Sequence, residues 1–242
     1  VYLGGGAFAS FADSRETSSI RPFLAARLAQ HCNEPALRGL IGQENEWRIT
    51  AVLRNLLWWD GTRAPEPSLT DVFLPVSGLV RLVREVEGRP LVLMAKAGHN
   101  AEPHNHNDVG SFILRIGNQT YLCDPGSGLY SRDYFSEHRY ENIFANSFGH
   151  SVPRIGGMLQ SPGLQFRGTI EQVAPKSVRI VFHKAYPIPE LEEATRTLTL
   201  NPDGTVDLAD EFKSSGLEIE EAFLTWQTVD TDGDIARIRT QD

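Results

Sequence analysis

AGHNAEPHNHNDVGSFILRIGNQTYLCD, residues 97–124, joins a polar loop rich in histidine and asparagine to a pair of short apolar segments. In the second half, Phe112, Leu114 and Ile116 alternate with Ile113 and Arg115. Gly117-Asn118 supplies a tight turn, and Thr120 to Cys123 returns antiparallel, which together predict a β-hairpin. Side chains two apart on an extended strand share a face, so His104 and His106 are expected to project together, with Asp108 beside them if the strand continues. The return strand carries Asp124 back toward His106, and a third ligand is available from His150 in the run NSFGHSVP. Two histidines and an aspartate make a reasonable zinc set, with water or a backbone oxygen completing a tetrahedron. The other reading of the same residues is a polar loop whose histidines cap turns.

Outward from this hairpin, strand-like segments continue on both sides. They run Leu79 to Val86, Leu91 to Lys96, Leu164 to Val173, Val178 to Ala185, Thr195 to Leu200, Thr205 to Phe212 and Ala222 to Val229. Gly88, Gly117, Pro202-Asp203-Gly204 and Asp232-Gly233 punctuate them. Many strands with short connections and no helices between them predict an antiparallel β-sandwich over residues 66–242. Residues 1–65 read differently. After a flexible Gly4-Gly5-Gly6, a cap at Asp13 or Ser14 leads into Ile20, Phe23, Leu24 and Leu28 at helical spacing. Pro35 is suited to open a new first turn, and Ile49, Val52, Leu53, Leu56 and Leu57 follow with the same period. Arg63-Ala64-Pro65-Glu66-Pro67 is the linker between the two periodicities.

Composition sets broad limits. The 242 residues are 40% apolar and 22% charged, an ordinary globular balance with enough apolar mass for a sizeable core. A net charge of -8 argues against general nucleic-acid or membrane-surface binding. The two cysteines, Cys32 and Cys123, do not make a disulfide framework and are expected as buried thiols. No apolar run approaches the roughly 18 residues that span a bilayer, so membrane insertion is not expected. The chain starts at Val1 with no signal peptide and reads as a fragment. Asp230-Thr231-Asp232-Gly233-Asp234 resembles the start of a calcium loop but lacks its terminal glutamate, and is expected to be a solvated hairpin turn. Trp58 and Trp59 are expected in a core, and His31 and His183 as structural or surface residues.

From His104 to Gln160 the motifs HNHNDVGSF, DPGSGLY, FSEHRY and NSFGHSVPRIGGMLQ occur in an order that resembles the heparinase II/III-like polysaccharide lyases. LPVSGLVRLVRE is similar to that family's opening sandwich strand, and the helical N-terminal part to the end of its α/α toroid. The resemblance implies a mainly β chain, an antiparallel β-sandwich preceded by a short α-helical segment from an incomplete toroid. It implies β-elimination at a uronic acid within an acidic polysaccharide, a bacterial periplasmic or secreted location, and a structural zinc (Zn2+) held by His106, Asp124 and His150. His104 then corresponds to the catalytic histidine. Tyr134 or Tyr140 is the implied proton donor, and His99, Asn105 and Arg139 are the implied substrate contacts, Arg139 through its planar fork.

The chemistry is consistent with these residue types. A proton alpha to a carboxylate is weakly acidic, so the carboxylate must be neutralised, a base must take the proton and an acid must reach the leaving oxygen. Histidine suits proton transfer near neutral pH, whereas tyrosine needs a nearby cation to act as base. Asn105, Asn107 or Asp108 could orient the imidazoles. Two departures from the family pattern bear on function. His150 is followed by Ser151 where asparagine is common, and the usual tyrosine base and a carboxylate-neutralising His or Asn belong to the toroid, upstream of this sequence. The chain alone is therefore expected to bind metal and to lack lyase activity, and heparin, heparan, alginate and other uronate polymers are not separated. Two other readings remain: a non-catalytic carbohydrate- or metal-binding sandwich, and a cupin-like metalloenzyme suggested by His104-Asn105-His106.

Overall fold

A computed structural model describes residues 1–42 and 47–240. The chain divides into two compact units, Val1–Phe8 with Glu16–Leu69, and Ala9–Arg15 with the chain from Thr70 onward.

The first unit opens on a two-stranded hairpin, β1 (Tyr2–Gly4) with β2 (Ala7–Phe8). The triple glycine is its turn instead of a flexible leader. All three residues have positive φ, a region where a Cβ is penalised. Helix α1 (Pro22–His31) follows, then a 3-10 turn at Pro35–Leu40 and helix α2 (Ile49–Trp58). Neither Asp13 nor Ser14 caps α1: the helix begins at Pro22, whose fixed φ suits a first turn, after Arg21 with no side-chain cap. Pro35 does open a turn, with the Glu34 carboxylate accepting from the Ala36 N–H at 3.3 Å. The helices meet through Phe23, whose N–H donates to Asn55 Oδ1 at 2.9 Å and whose ring lies 6.1 Å from that of Trp58. Contrary to expectation, Trp58 is half exposed and Cys32 is exposed, while Cys123 is buried. Along α2 only Ala51 is buried, and Ile49, Leu53, Leu56 and Leu57 all face outward.

The second unit is an antiparallel β-sandwich. One sheet holds β3 (Val72–Leu74), β4 (Leu79–Val86), β5 (Arg89–Lys96), β7 (Phe112–Ile116) and β8 (Gln119–Leu122) in sequential order. The other runs β13 (Val206–Ser214), β12 (Leu191–Leu200), β11 (Ser177–Val181), β10 (Gly163–Ala174) and β6 (Gly98–Asn100). Alternate residues meet between the sheets: Val80, Leu82, Leu91, Leu93 and Phe112 from the first face Val178, Ile180, Leu198 and Leu200 from the second in one apolar cluster. The hairpin expected at Phe112–Cys123 forms, with Leu114 opposite Leu122 and Ile116 opposite Gln119.

The C-terminal region departs from the sequence reading. Residues 222–227 are not a strand: the Leu224 N–H donates to Ser151 Oγ at 2.9 Å and its carbonyl accepts from the Cys123 N–H at 2.9 Å, so this segment bonds to loops instead of a sheet neighbour. It lies between β14 (Ile219–Glu220), paired with β9 (Arg154–Ile155), and the hairpin of β15 (Thr228–Asp232) with β16 (Ile235–Arg239). Asp230–Asp234 belongs to that hairpin, as expected, with Gly233 at φ 59° in the turn.

Burial separates the two units energetically. Leu93→Ala, in the sandwich core, is expected to cost about 2–5 kcal/mol in denaturant unfolding. Leu56→Ser, at 77% exposure on α2, should cost less than about 0.5 kcal/mol. A loss at Leu56 equal to that at Leu93 would show that the α2 stripe is buried in solution.

Candidate metal centre and active site

The site is built on the connections that leave β6 and β8. Residues 101–111 form a loop and not the extended strand that spacing predicts. His104 adopts φ 59°, in the left-handed region, so the chain turns between the two histidines. Their side chains consequently separate: His104 is 62% exposed and His106 is fully buried. Asp108 does not join them but pairs with Lys96 at 2.5 Å, both inside the protein. Burial opposes the charge on Lys96, yet the Asp108 carboxylate raises its pKa above the ordinary value.

His106, Asp124 and His150 do come together. One ligand atom from each lies within 4.8 Å of the others, and all three residues are buried. The hydrogen bonds define which nitrogens are available. His150 Nε2 lies 3.1 Å from the Phe144 carbonyl, which only accepts, so Nε2 carries a proton and Nδ1 faces Asp124 Oδ2 at 2.8 Å. His106 Nε2 lies 3.0 Å from Asp13 Oδ1, leaving His106 Nδ1 buried without a hydrogen-bond partner. An orphaned ring nitrogen beside a carboxylate and a second imidazole fits a divalent cation, and N/O donors of this kind suit zinc. Burial and the nearby His150 lower the pKa of His106. Burial also opposes charge on His150, but Asp124 holds its pKa above normal, so one proton resides between Nδ1 and the carboxylate. A cation held by the three residues would displace that proton.

Asp13 is the principal residue that sequence reading missed. Only 3% of its side chain is exposed, and it accepts from Tyr134 Oη at 2.6 Å, His106 Nε2 at 3.0 Å, His104 Nδ1 at 3.0 Å, Tyr130 Oη at 3.1 Å and Arg139 Nη2 at 3.1 Å to each oxygen. Burial disfavours its charge, yet the hydrogen bonds from Tyr134, His106 and His104, with the Arg139 guanidinium, hold its pKa at about 2. Burial and the same carboxylate push Tyr134 up to about 12. Arg139 stacks 4.3 Å over the Tyr134 ring and also donates to the Asn105 carbonyl, so its fork is occupied within the protein. The Tyr140 hydroxyl donates to Asn105 Oδ1 at 3.0 Å. His99 lies on β6 opposite Arg167, its Nδ1 accepting from the Ala101 N–H, outside these contacts.

Two further buried side chains hold the loops. Gln160 links β6, the Asn107 segment and Val109: its Nε2 donates to the Val109 carbonyl, and its Oε1 accepts from the Val109 N–H and from Asn100 Nδ2. Arg196, projecting from β12, donates Nη1 to the carbonyls of Gly110 and Ser151, one on each site loop, and reaches Asp210 and Glu221 with Nη2.

The heparinase II/III-like C-terminal family model matches residues 66–228, and the chain belongs to this family. Among solved structures it is similar to a heparan sulfate lyase mutant from Pedobacter heparinus, at 15% identity and a TM-score of 0.63, covering 93% of this chain and 33% of that one. It is likewise similar to a heparinase III, at 16% identity and a TM-score of 0.62, covering 93% of this chain and 34% of the other. At these identities the likeness is one of fold, and this chain spans about a third of their length. No curated protein matches it by sequence.

The Arg196 assembly carries a pH signature. Burial and the adjacent Asp210 carboxylate push Glu221 from 4.5 up to about 7, against the pull of Arg196. A carboxyl protonated more readily in the folded than in the unfolded state stabilises the fold fully below pH 4.5 and loses that contribution as pH rises through about 7. Glu221→Gln should therefore flatten the fall in urea midpoint between these values. An identical fall in the variant would assign the titration to another group.

Proposed function

We propose that this chain is the C-terminal part of a polysaccharide lyase that cleaves a uronic-acid-containing polysaccharide by β-elimination, with zinc held by His106, Asp124 and His150. The observation that carries this reading is the buried cluster of His106, Asp124 and His150, in which Nδ1 of His106 has no hydrogen-bond partner, two residues from the solvent-facing ring of His104. Family membership and a fold shared with a heparan sulfate lyase and a heparinase III support the substrate class. When bound, the zinc would fix the loops around it; elimination requires no metal-activated water. Family membership and a polymeric substrate support a bacterial periplasmic or secreted location. No described helix is long and apolar enough to cross a membrane.

In the reaction, the bond from hydrogen to the carbon alpha to the uronate carboxylate breaks. Its electron pair forms the new carbon–carbon double bond, and the leaving glycosidic oxygen departs with a proton. His104 and Tyr140 are the proton-transfer groups with access to substrate. Tyr134 is buried and committed to Asp13, so it supports the site from within instead of acting as the donor. Asn105 and His99 are the proposed substrate contacts. Arg139 contributes its positive charge from behind, its fork being spent on Asp13. The base and further carboxylate-neutralising groups are proposed to come from the remainder of a protein of which this chain spans a third in its matched structures. One observation favours a second reading, a non-catalytic carbohydrate-binding sandwich: Arg139 and Tyr134 are both already engaged.

The polypeptide carrying this chain should release ultraviolet-absorbing unsaturated products from at least one of heparan sulfate, heparin and alginate. His104→Ala and Tyr140→Phe are expected to lower the rate by about 10²–10⁴-fold with zinc content unchanged. Absence of unsaturated product from all of these polymers would support the non-catalytic reading.

A further inference from the structure

The segment Ala9–Arg15 lies with the sandwich, although the rest of the first 69 residues forms another unit. Its backbone and the Ser10 side chain are fixed to both site loops. The Asp13 N–H donates to the His104 carbonyl at 3.2 Å, the Ser127 N–H donates to the Ser14 carbonyl at 2.9 Å, and Ser10 Oγ donates to the Asp124 carbonyl at 3.1 Å. Gly126, at φ 67°, permits this approach, since a Cβ there would lie 2.7 Å from the Ser14 oxygen. Asp13 is thus delivered to one place with little freedom.

We infer that Asp13 is a positioning residue that sets the tautomers of both histidines, and that it does so in opposite senses. Its Oδ1 lies 3.0 Å from His106 Nε2 and accepts from the Tyr134 hydroxyl at 2.6 Å. That hydroxyl's one proton is thereby spent, so its oxygen, 3.0 Å from Nε2, can only accept there, and Nε2 carries the proton and leaves Nδ1 as the lone pair open to a cation. Its Oδ2 accepts from His104 Nδ1, which leaves Nε2 of that exposed ring free to exchange a proton with substrate. One carboxylate therefore links the metal centre to the proton-transfer group. Tyr134, Tyr130 and Arg139 saturate its remaining lone pairs and keep it from swinging toward either ring. A carboxylate behind a ligating histidine is a recurrent device for fixing ring orientation and raising ligand basicity. The His106 half of this inference rests on the zinc reading; the His104 half does not.

An uncoupled neutral imidazole favours the proton on Nε2. His104 held as the Nδ1–H form is therefore a signature that a merely structural Asp13 would not produce. Long-range 15N–1H correlation on the metal-free wild-type protein should show His104 protonated on Nδ1 and His106 on Nε2. Titration with zinc alone should then give an affinity about 10–100-fold weaker for Asp13→Asn than for wild type. Its two histidines should at the same time lose their tautomer preferences. His104 in the Nε2–H form, or His106 in the Nδ1–H form, in wild type would overturn the inference, as would an Asp13→Asn affinity within twofold of wild type. If Asp13→Asn does not fold, the wild-type tautomers decide. If wild type takes up no zinc, the metal reading fails and the tautomers still decide the role of Asp13.

Discussion

Taking an ion out of water costs several kcal/mol unless partners replace the lost hydration, and this sandwich buries several at the site. Asp13, Lys96, Asp108, Asp124 and Arg196 are all withdrawn from solvent. Each is answered locally: Asp13 by five donor side chains, Lys96 by Asp108, Asp124 by His150 and Arg196 by Asp210 and two carbonyls. Some buried polar atoms around them have no hydrogen-bond partner, among them Asp108 Oδ2, Asn107 Oδ1 and His106 Nδ1, and of these the ring nitrogen belongs to the cluster with Asp124 and His150. A partially satisfied buried network is expensive, and a cation shared by three ligands is the chemistry that would complete this one.

The sandwich provides the rigidity that such a network requires. β5 ends at Lys96, and the backbone of Lys96 exchanges hydrogen bonds with Ser111 and Gly110, so the histidine loop is closed at its base by the sheet. On the other side, Arg196 ties the Gly110 and Ser151 carbonyls to β12. Ser151 uses its hydroxyl to accept from the Leu224 N–H and its carbonyl to receive Arg196, which fastens the segment carrying His150. Loops hold the candidate site residues, and strands fix the loops.

The parts of this arrangement that were legible in the sequence are those encoded by local period or turn chemistry. Alternation at Phe112–Ile116 followed by Gly117-Asn118 specified a hairpin, and that hairpin is what returns Asp124 to His106. The relation between His104 and His106 was misread because strand spacing assumes extended backbone, and a left-handed φ at His104 breaks that assumption. Residues 222–227 look strand-like, but their hydrogen bonds go to Ser151 and Cys123, a distant choice that no local pattern announces. Asp13 was hidden most completely. It lies 91 residues from His104, and before an apolar segment an Asp-Ser pair reads as a helix cap. Only the path of Ala9–Arg15 along the sandwich reveals its use. Conversely, the period of α2 signalled a helix correctly but said nothing of what would cover its apolar side, which is exposed here.

The central claim is that His106, Asp124 and His150 form one cation site, and metal analysis of the purified protein tests it most directly. About one zinc per chain in wild type is expected, lost in each of His106→Ala, Asp124→Ala and His150→Ala while the sandwich remains folded. A folded wild type that holds no metal and takes up none when zinc is added would contradict the account.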